Sequence, residues 1–124
     1  MKTINIENIA IFLQEHFAEI QTAYIFGSAK DGVLQENSDI DIACYLINDY
    51  SPLLEFHIAD DLEVLLHEKI DITVLNKSNP VLAHEVLKNG KRLFDRDSEK
   101  RAYLELSILK NYIDNNYYLR RRYG

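Results

Sequence analysis

Residues 39–46 have the sequence DIDIACYL, in which every second residue is large and apolar or a cysteine. A period of two residues is typical of a β-strand that turns one face toward a core. The residues predicted on that face are Ile40, Ile42, Cys44 and Leu46. Asp39 and Asp41 then share the opposite face. This strand therefore predicts a buried side and a side that carries two carboxylates.

Three further strands and four helices are predicted around it. Residues 22–26, TAYIF, form a short buried strand that ends at Gly27, residues 70–74 alternate as a third strand, and residues 91–94 form a fourth. The predicted helices span residues about 4–19, 51–68, 79–90 and 98–121. Helices that flank a small mixed sheet give an α/β (α+β) fold, expected here in two layers. No linker is apparent, so we expect one domain over residues 1–124.

The ends and faces of these helices can also be predicted. Ser51-Pro52 is typical of an N-cap followed by the first helical residue, as is Asn79-Pro80. Gly90 is expected to end its helix in the left-handed conformation. In the last helix, we expect one apolar side to pack on the body of the domain. Its residues are Leu106, Leu109, Ile113 and Tyr117.

Composition limits the class of protein. Of 124 residues, 47% are apolar and 27% are charged, as in globular chains. The single cysteine, Cys44, excludes a disulfide scaffold and favours a reducing, cytoplasmic location, and no stretch resembles a membrane span. Up to residue 87 there are 4 basic against 15 acidic residues, and from residue 88 there are 10 against 5. The acidic body argues against direct nucleic-acid binding but allows divalent cations.

The residues that predict chemistry are Gly27-Ser28 and, ten residues later, Asp39 and Asp41. A glycine turn followed by a helix start presents amide groups to an anion such as phosphate. Two carboxylates on one strand face repel each other unless a cation lies between them, and oxygen ligands suit Mg²⁺. If the strand at 70–74 is a neighbour, Asp71 joins them as a third carboxylate. Two metal ions would then assist phosphoryl transfer.

Other candidate sites are weaker. Alternating acids are common on exposed strands, but their joint spacing with Gly27-Ser28 is rare by chance. His84-Glu85 lacks the second histidine of a zinc-protease motif, since residue 88 is lysine. Cys44 is expected to be a small core residue. Ser28 would need a paired base to act as a nucleophile, and no Gly-X-Ser-X-Gly motif surrounds it.

Gly27-Ser28-X10-Asp39-X-Asp41, with a later aspartate in an apolar strand, resembles the signature of the DNA polymerase β-like nucleotidyltransferase superfamily. The short chain resembles its minimal (MNT) members, antitoxins usually paired with a HEPN-domain ribonuclease toxin. The resemblance implies a nucleotidyltransferase-like fold, phosphate contacts at Gly27 and Ser28, and ligation of Mg²⁺ by Asp39, Asp41 and Asp71. Related chains often carry a basic residue directly after Gly-Ser. This chain has Ala29 there and Lys30 next, so Lys30 is a candidate for that contact with the triphosphate.

The resemblance implies an enzyme that transfers AMP from ATP to a hydroxyl, with a tyrosine of a HEPN toxin as acceptor. A small-molecule nucleotidyltransferase of the aminoglycoside-modifying kind, completed by a homodimer, remains an alternative. A second alternative is an antitoxin that acts by binding alone. The arginines at 120–122, beside Tyr117, Tyr118 and Tyr123, are expected to contact the partner.

Overall fold

The computed structural model describes the backbone of residues 2–123 and the side chains of residues 2–116. The strands are β1 (Lys2–Thr3), β2 (Ile20–Phe26), β3 (Val33–Leu34), β4 (Ile40–Leu46), β5 (Ile70–Val74) and β6 (Lys91–Asp95). The helices are α1 (Ile6–His16), α2 (Leu54–Leu66), α3 (Pro80–Asn89) and α4 (Ser98–Tyr123). Short 3₁₀ turns span Gly27–Asp31 and Leu75–Lys77. None of the helices in the described part of the chain is long and apolar enough to cross a bilayer.

A four-stranded mixed sheet has the order β5-β4-β2-β6. Strand β4 is parallel to β5 and antiparallel to β2, and β2 is antiparallel to β6. The two shortest strands, β1 and β3, pair separately. The four strands of the main sheet correspond to the four that the sequence predicted, two of them from alternation, so the mixed sheet flanked by helices is confirmed.

Helices cover both faces of this sheet. On one face, α1 and α2 pack against the alternating apolar residues of the strands, including Ile25, Ile42 and Ile72. On the other face, Tyr24 and Ala43 pack against a second cluster contributed by α3 and α4. The two-layer expectation was therefore wrong. The strands carry apolar side chains on both faces, and each apolar face needs a cover.

Helix α4 contacts the sheet through a different side from the one predicted. Leu104 and Ile108 are buried in the second cluster. The expected apolar side is exposed: 67% of Leu106, 44% of Leu109 and 55% of Ile113 remain accessible. Helix α4 therefore has two apolar sides, and the described residues of the side that sequence alone favoured stay largely exposed. The predicted partner contacts at Tyr117, Tyr118, Tyr123 and residues 120–122 lie outside the described side chains.

Two helix ends differ from the prediction and one agrees with it. Asn79 caps α3 as expected, since its side chain accepts a hydrogen bond from the Leu82 amide. Ser51 instead accepts a hydrogen bond from the Leu53 amide in a turn, and α2 begins only at Leu54. Gly90 has an extended backbone, with φ of −81°. A glycine is needed at this position for space, because a Cβ would lie 2.5 Å from the Val86 carbonyl oxygen.

Candidate functional site

Three aspartates lie on one face of the sheet where β4 and β5 run side by side. Asp41 is the register partner of Asp71, one position beyond the pairing of Ile40 with Ile70. The strands are parallel and in register, so both aspartates lie on the face opposite the buried isoleucines. Asp39 precedes β4 and lies two residues before Asp41 on the same face. Asp71 was predicted to join the two carboxylates if its strand is a neighbour of theirs. Strands β4 and β5 are neighbours in the sheet.

The turn after β2 packs directly against this cluster. Gly27 has a φ of +73°, and a Cβ at this position would lie 2.4 Å from Asp41 Oδ2. Both the backbone conformation and the close approach require glycine. The 3₁₀ turn that begins at Gly27 buries Ala29, whereas Gly27 and Ser28 are exposed. The backbone of Gly27 therefore borders both the carboxylates and open solvent.

The cluster is electrostatically strained. Burial raises the pKa of Asp41, and the negative charges of Asp71 and Asp39 raise it further. The positive charge that contacts the cluster is Lys69, whose Nζ lies 3.9 Å from Asp39 Oδ2. As placed, no three His, Cys, Asp or Glu side chains of the described residues converge closely enough to hold an ion. Mg²⁺ prefers oxygen ligands, and all three groups offer carboxylate oxygens. A bound cation would also relieve the repulsion between these like charges.

Lys30 does not contact the carboxylates. Its Nζ donates a hydrogen bond to the Asn89 carbonyl oxygen, 2.9 Å away at the end of α3. Its predicted contact with a triphosphate stays a prediction. Sequence reasoning missed Lys69, although its position two residues before Asp71 in an alternating stretch would have been a signal for it.

Comparison with known proteins identifies the family. The model of the family described as "Polymerase beta, Nucleotidyltransferase" matches residues 7–99. The chain belongs to this nucleotidyltransferase family. A curated relative, protein adenylyltransferase MntA of Shewanella oneidensis, is 28% identical over 113 residues, which cover 90% of this chain and 81% of the relative. The resemblance to minimal nucleotidyltransferases is thereby confirmed.

Solved structures agree with this family. One chain of a toxin–antitoxin crystal structure with AMP-PNP superposes with a TM-score of 0.79 and 25% identity, over 93% of both chains. A chain from the complex of the tri-AMPylated Shewanella oneidensis HEPN toxin with the MNT antitoxin gives 0.74 and 23% identity, over 94% of this chain and 91% of that one. At 23% identity, the match to the second structure shows a shared fold and nothing about function. Both matches extend over the nucleotidyltransferase family region and beyond it into α4.

Cysteine and histidine often serve as catalysts, but in this nucleotidyltransferase Cys44 and His84 are packed in structural contacts. Cys44 is fully buried, and its burial raises the pKa of the thiol to about 12, so it is a core residue as expected. His84 stacks on Tyr112, with ring centroids 3.7 Å apart and planes at 4°. This pair joins α3 to α4.

A mostly apolar cleft of about 610 Å³ lies beside the His84–Tyr112 pair. It is lined by Leu87, Ala102 and Leu106 among others, and by none of the predicted site residues.

Proposed function

We propose that this nucleotidyltransferase is an Mg²⁺-dependent antitoxin that transfers AMP from ATP to a hydroxyl, a tyrosine, of a cognate HEPN ribonuclease toxin and so neutralises it. The observation that carries the proposal is the alignment of Asp39, Asp41 and Asp71 on one face beside the Gly27-Ser28 turn. A binding protein has no need of three mutually repelling carboxylates. The relative MntA, named a protein adenylyltransferase, and the toxin–antitoxin structure with AMP-PNP support the same reaction.

The proposed roles follow the positions of the residues. The amides of Gly27 and Ser28 bind phosphate oxygens of ATP, and Lys30 adds a further contact. Asp39, Asp41 and Asp71 hold Mg²⁺, and we expect two ions. Bound metal would neutralise negative charge on the phosphates and lower the pKa of the attacking hydroxyl.

The reaction itself is a displacement at phosphorus. The acceptor oxygen forms a bond to the α-phosphorus of ATP, and the bond from that phosphorus to the bridging oxygen breaks, so that pyrophosphate leaves. The proton of the acceptor hydroxyl passes to the carboxylate of Asp71, which is exposed on the side away from Gly27. Asp71 is suited to this because it lies on β5, the outermost strand of the sheet on that side.

The openness of the site supports a protein as acceptor. Asp71 is exposed and Asp39 and Asp41 are half-buried, so the carboxylates do not line a closed pocket of the kind that encloses a small substrate. The exposed side of α4 is an apolar surface of the type found at protein interfaces. We further propose that residues 1–124 form one domain and that it acts in the cytoplasm, where ATP is available and Cys44 stays reduced.

The test is a transfer assay with the cognate HEPN toxin, ATP and Mg²⁺, read by intact mass. We expect the toxin to gain one or more AMP units and to lose ribonuclease activity. The Asp39→Asn/Asp41→Asn double variant should leave the toxin unmodified. Modification of an aminoglycoside instead of the toxin would favour the small-molecule alternative. Neutralisation of an unmodified toxin by both proteins would favour binding alone.

A further inference from the structure

Lys69 lies beside the cluster of carboxylates formed by Asp39, Asp41 and Asp71. Its backbone carbonyl accepts a hydrogen bond from the Ile40 amide, 2.9 Å away, immediately before the first register pair of β4 and β5. This register sets Lys69 beside Asp39 in the same way as Asp71 is set beside Asp41. The side chain extends along the same face, with Nζ 3.9 Å from Asp39 Oδ2. Among the described residues, no other basic side chain forms an ion pair with the three carboxylates.

The order of the strands shows on which side of the carboxylate cluster Lys69 lies. Gly27 follows β2, Asp41 lies on β4 and Asp71 lies on β5, and the sheet order is β5-β4-β2. Asp41 therefore lies between the Gly27-Ser28 turn on one side and both Lys69 and Asp71 on the other. If the turn binds the nucleotide phosphates, the attacking group must approach from the opposite side, because attack at phosphorus is in line with the leaving group. Lys69 is on that side, at the edge of the sheet.

The contact with Asp39 does not account for Lys69 as a structural residue. The lysine side chain is 76% exposed and the Asp39 side chain 39% exposed. Exposed ion pairs contribute about 0–1 kcal/mol to stability, so Lys69 can leave Asp39 for another oxygen at little cost. Its ammonium is a compact charge on a flexible stem, with three hydrogens to donate.

We propose that Lys69 binds the acceptor, donating a hydrogen bond to an oxygen of the group that receives AMP. That oxygen belongs either to the hydroxyl that attacks or to the phosphate of an AMP already attached to it. Both are electron-rich oxygens to which a lysine ammonium can donate a hydrogen bond. The assignment rests on the proposed transfer to a HEPN toxin, and it makes Lys69 a residue of the acceptor side, distinct from the nucleotide-binding turn.

The matched variants are Lys69→Met and Lys77→Met. Lys77 follows the other end of β5, is similarly exposed, and pairs with Glu55 at 3.1 Å, so its removal costs a comparable ion pair away from the cluster. Two quantities are measured for each: the affinity for AMP-PNP with Mg²⁺ by calorimetry, and the rate of each AMP addition to the toxin by intact mass. Lys69→Arg tests whether a positive charge is sufficient.

We expect Lys69→Met to bind AMP-PNP within about twofold of wild type and to modify the toxin at least about tenfold more slowly, a change of about 1.4 kcal/mol in transition-state binding. Lys77→Met should match wild type in both, and Lys69→Arg should recover part of the rate. A slow first addition assigns the contact to the hydroxyl, and slow later additions alone assign it to the attached phosphate.

Two results would overturn the assignment. One is toxin modification by Lys69→Met at the wild-type rate in every step. The other is a loss of AMP-PNP affinity that accounts for the whole rate change, which would place Lys69 on the nucleotide side. Failure of the proposed function is distinguishable, because the wild-type protein itself would then leave the toxin unmodified.

Discussion

Gly27 lies directly against the carboxylate of Asp41. A Cβ on Gly27 would approach Asp41 Oδ2 to 2.4 Å, and the φ of +73° is one that side chains disfavour. The contact joins the turn after β2 to the middle of the carboxylate cluster. The proposed phosphate-binding half of the candidate site and the carboxylate half are therefore in direct contact. Any side chain at Gly27 must move Asp41 or the turn.

Gly27→Ala tests this contact, and Gly32→Ala is its matched control. Gly32 is also left-handed, with φ of +83°, but a Cβ there would only make an ordinary 3.5 Å contact with the Ile4 carbonyl oxygen. Each variant should lower the free energy of unfolding by about 1–2 kcal/mol because of backbone strain. Only Gly27→Ala should also reduce AMP transfer by about 100-fold, the cost of misplacing a reacting group by about 1 Å. Equal activities in the two variants would separate Gly27 from the site.

Removing the central carboxylate should abolish transfer without harming the fold. Burial raises the pKa of Asp41, and repulsion from Asp71 and Asp39 raises it further. Asp41→Asn relieves that repulsion. We expect Tm in the absence of Mg²⁺ to stay constant or rise by about 2 °C, since relief of about 0.5 kcal/mol at a partly exposed site gives that shift. Asp61→Asn on the exposed side of α2 is the control and should leave transfer intact. Calorimetric unfolding and the mass assay measure the two effects. A fall in Tm of several degrees would mean that Asp41 stabilises the fold.

Cys44 should be unreactive in the native protein. Burial raises the pKa of its thiol to about 12 from 9.0, so the thiolate needed for alkylation is absent at pH 8. Iodoacetamide should label Cys44 in urea but not in buffer, and transfer activity should survive the treatment. Labelling in buffer at the rate seen in urea would contradict this.

The same raised pKa predicts a loss of stability in alkali. Above pH 9 the thiol ionises in the unfolded chain but stays protonated in the folded one, so unfolding is favoured as pH rises. Relative to Cys44→Ala, wild type should lose about 1.4 kcal/mol per pH unit between pH 9 and 11. The comparison cancels the contribution of Tyr24, whose pKa burial and Glu105 also raise. Urea unfolding at each pH measures it, and parallel curves for the two proteins would refute it.

The exposed side of α4 should contribute to binding of the toxin. Leu106→Ser/Ile113→Ser removes two side chains that are 67% and 55% accessible, so the free energy of unfolding should change by less than about 0.5 kcal/mol. Binding should weaken at least about tenfold if these residues are buried by the partner. Phe56→Ser/Val64→Ser on α2 removes comparable exposed apolar surface and should leave affinity unchanged. Equal calorimetric affinities for both double variants would exclude this side of α4.

Much of the sheet and of the candidate site could be predicted, because the relevant signals are local. Alternation over residues 39–46 indicated both the strand and the face that carries Asp39 and Asp41, and the same period placed Asp71. A period of two depends only on backbone geometry, so it survives in any fold that uses the strand. The helix starts were less predictable. Ser51-Pro52 offered a cap, but the chain turns there and α2 begins at Leu54.

Sequence by itself thus determined the four strands of the main sheet and the four helices, which strand residues share a face, and the family signature from Gly27 to Asp41. It did not predict the short strands β1 and β3. Only the tertiary structure decided which faces meet. Helix α4 has two apolar sides, and the sheet buries Leu104 and Ile108 because its second face presents Tyr24 and Ala43 to that side. Likewise, Lys69 reaches Asp39 only through the parallel register of β4 and β5. Periodicity is a property of one segment, whereas burial and pairing depend on the surface that another segment supplies.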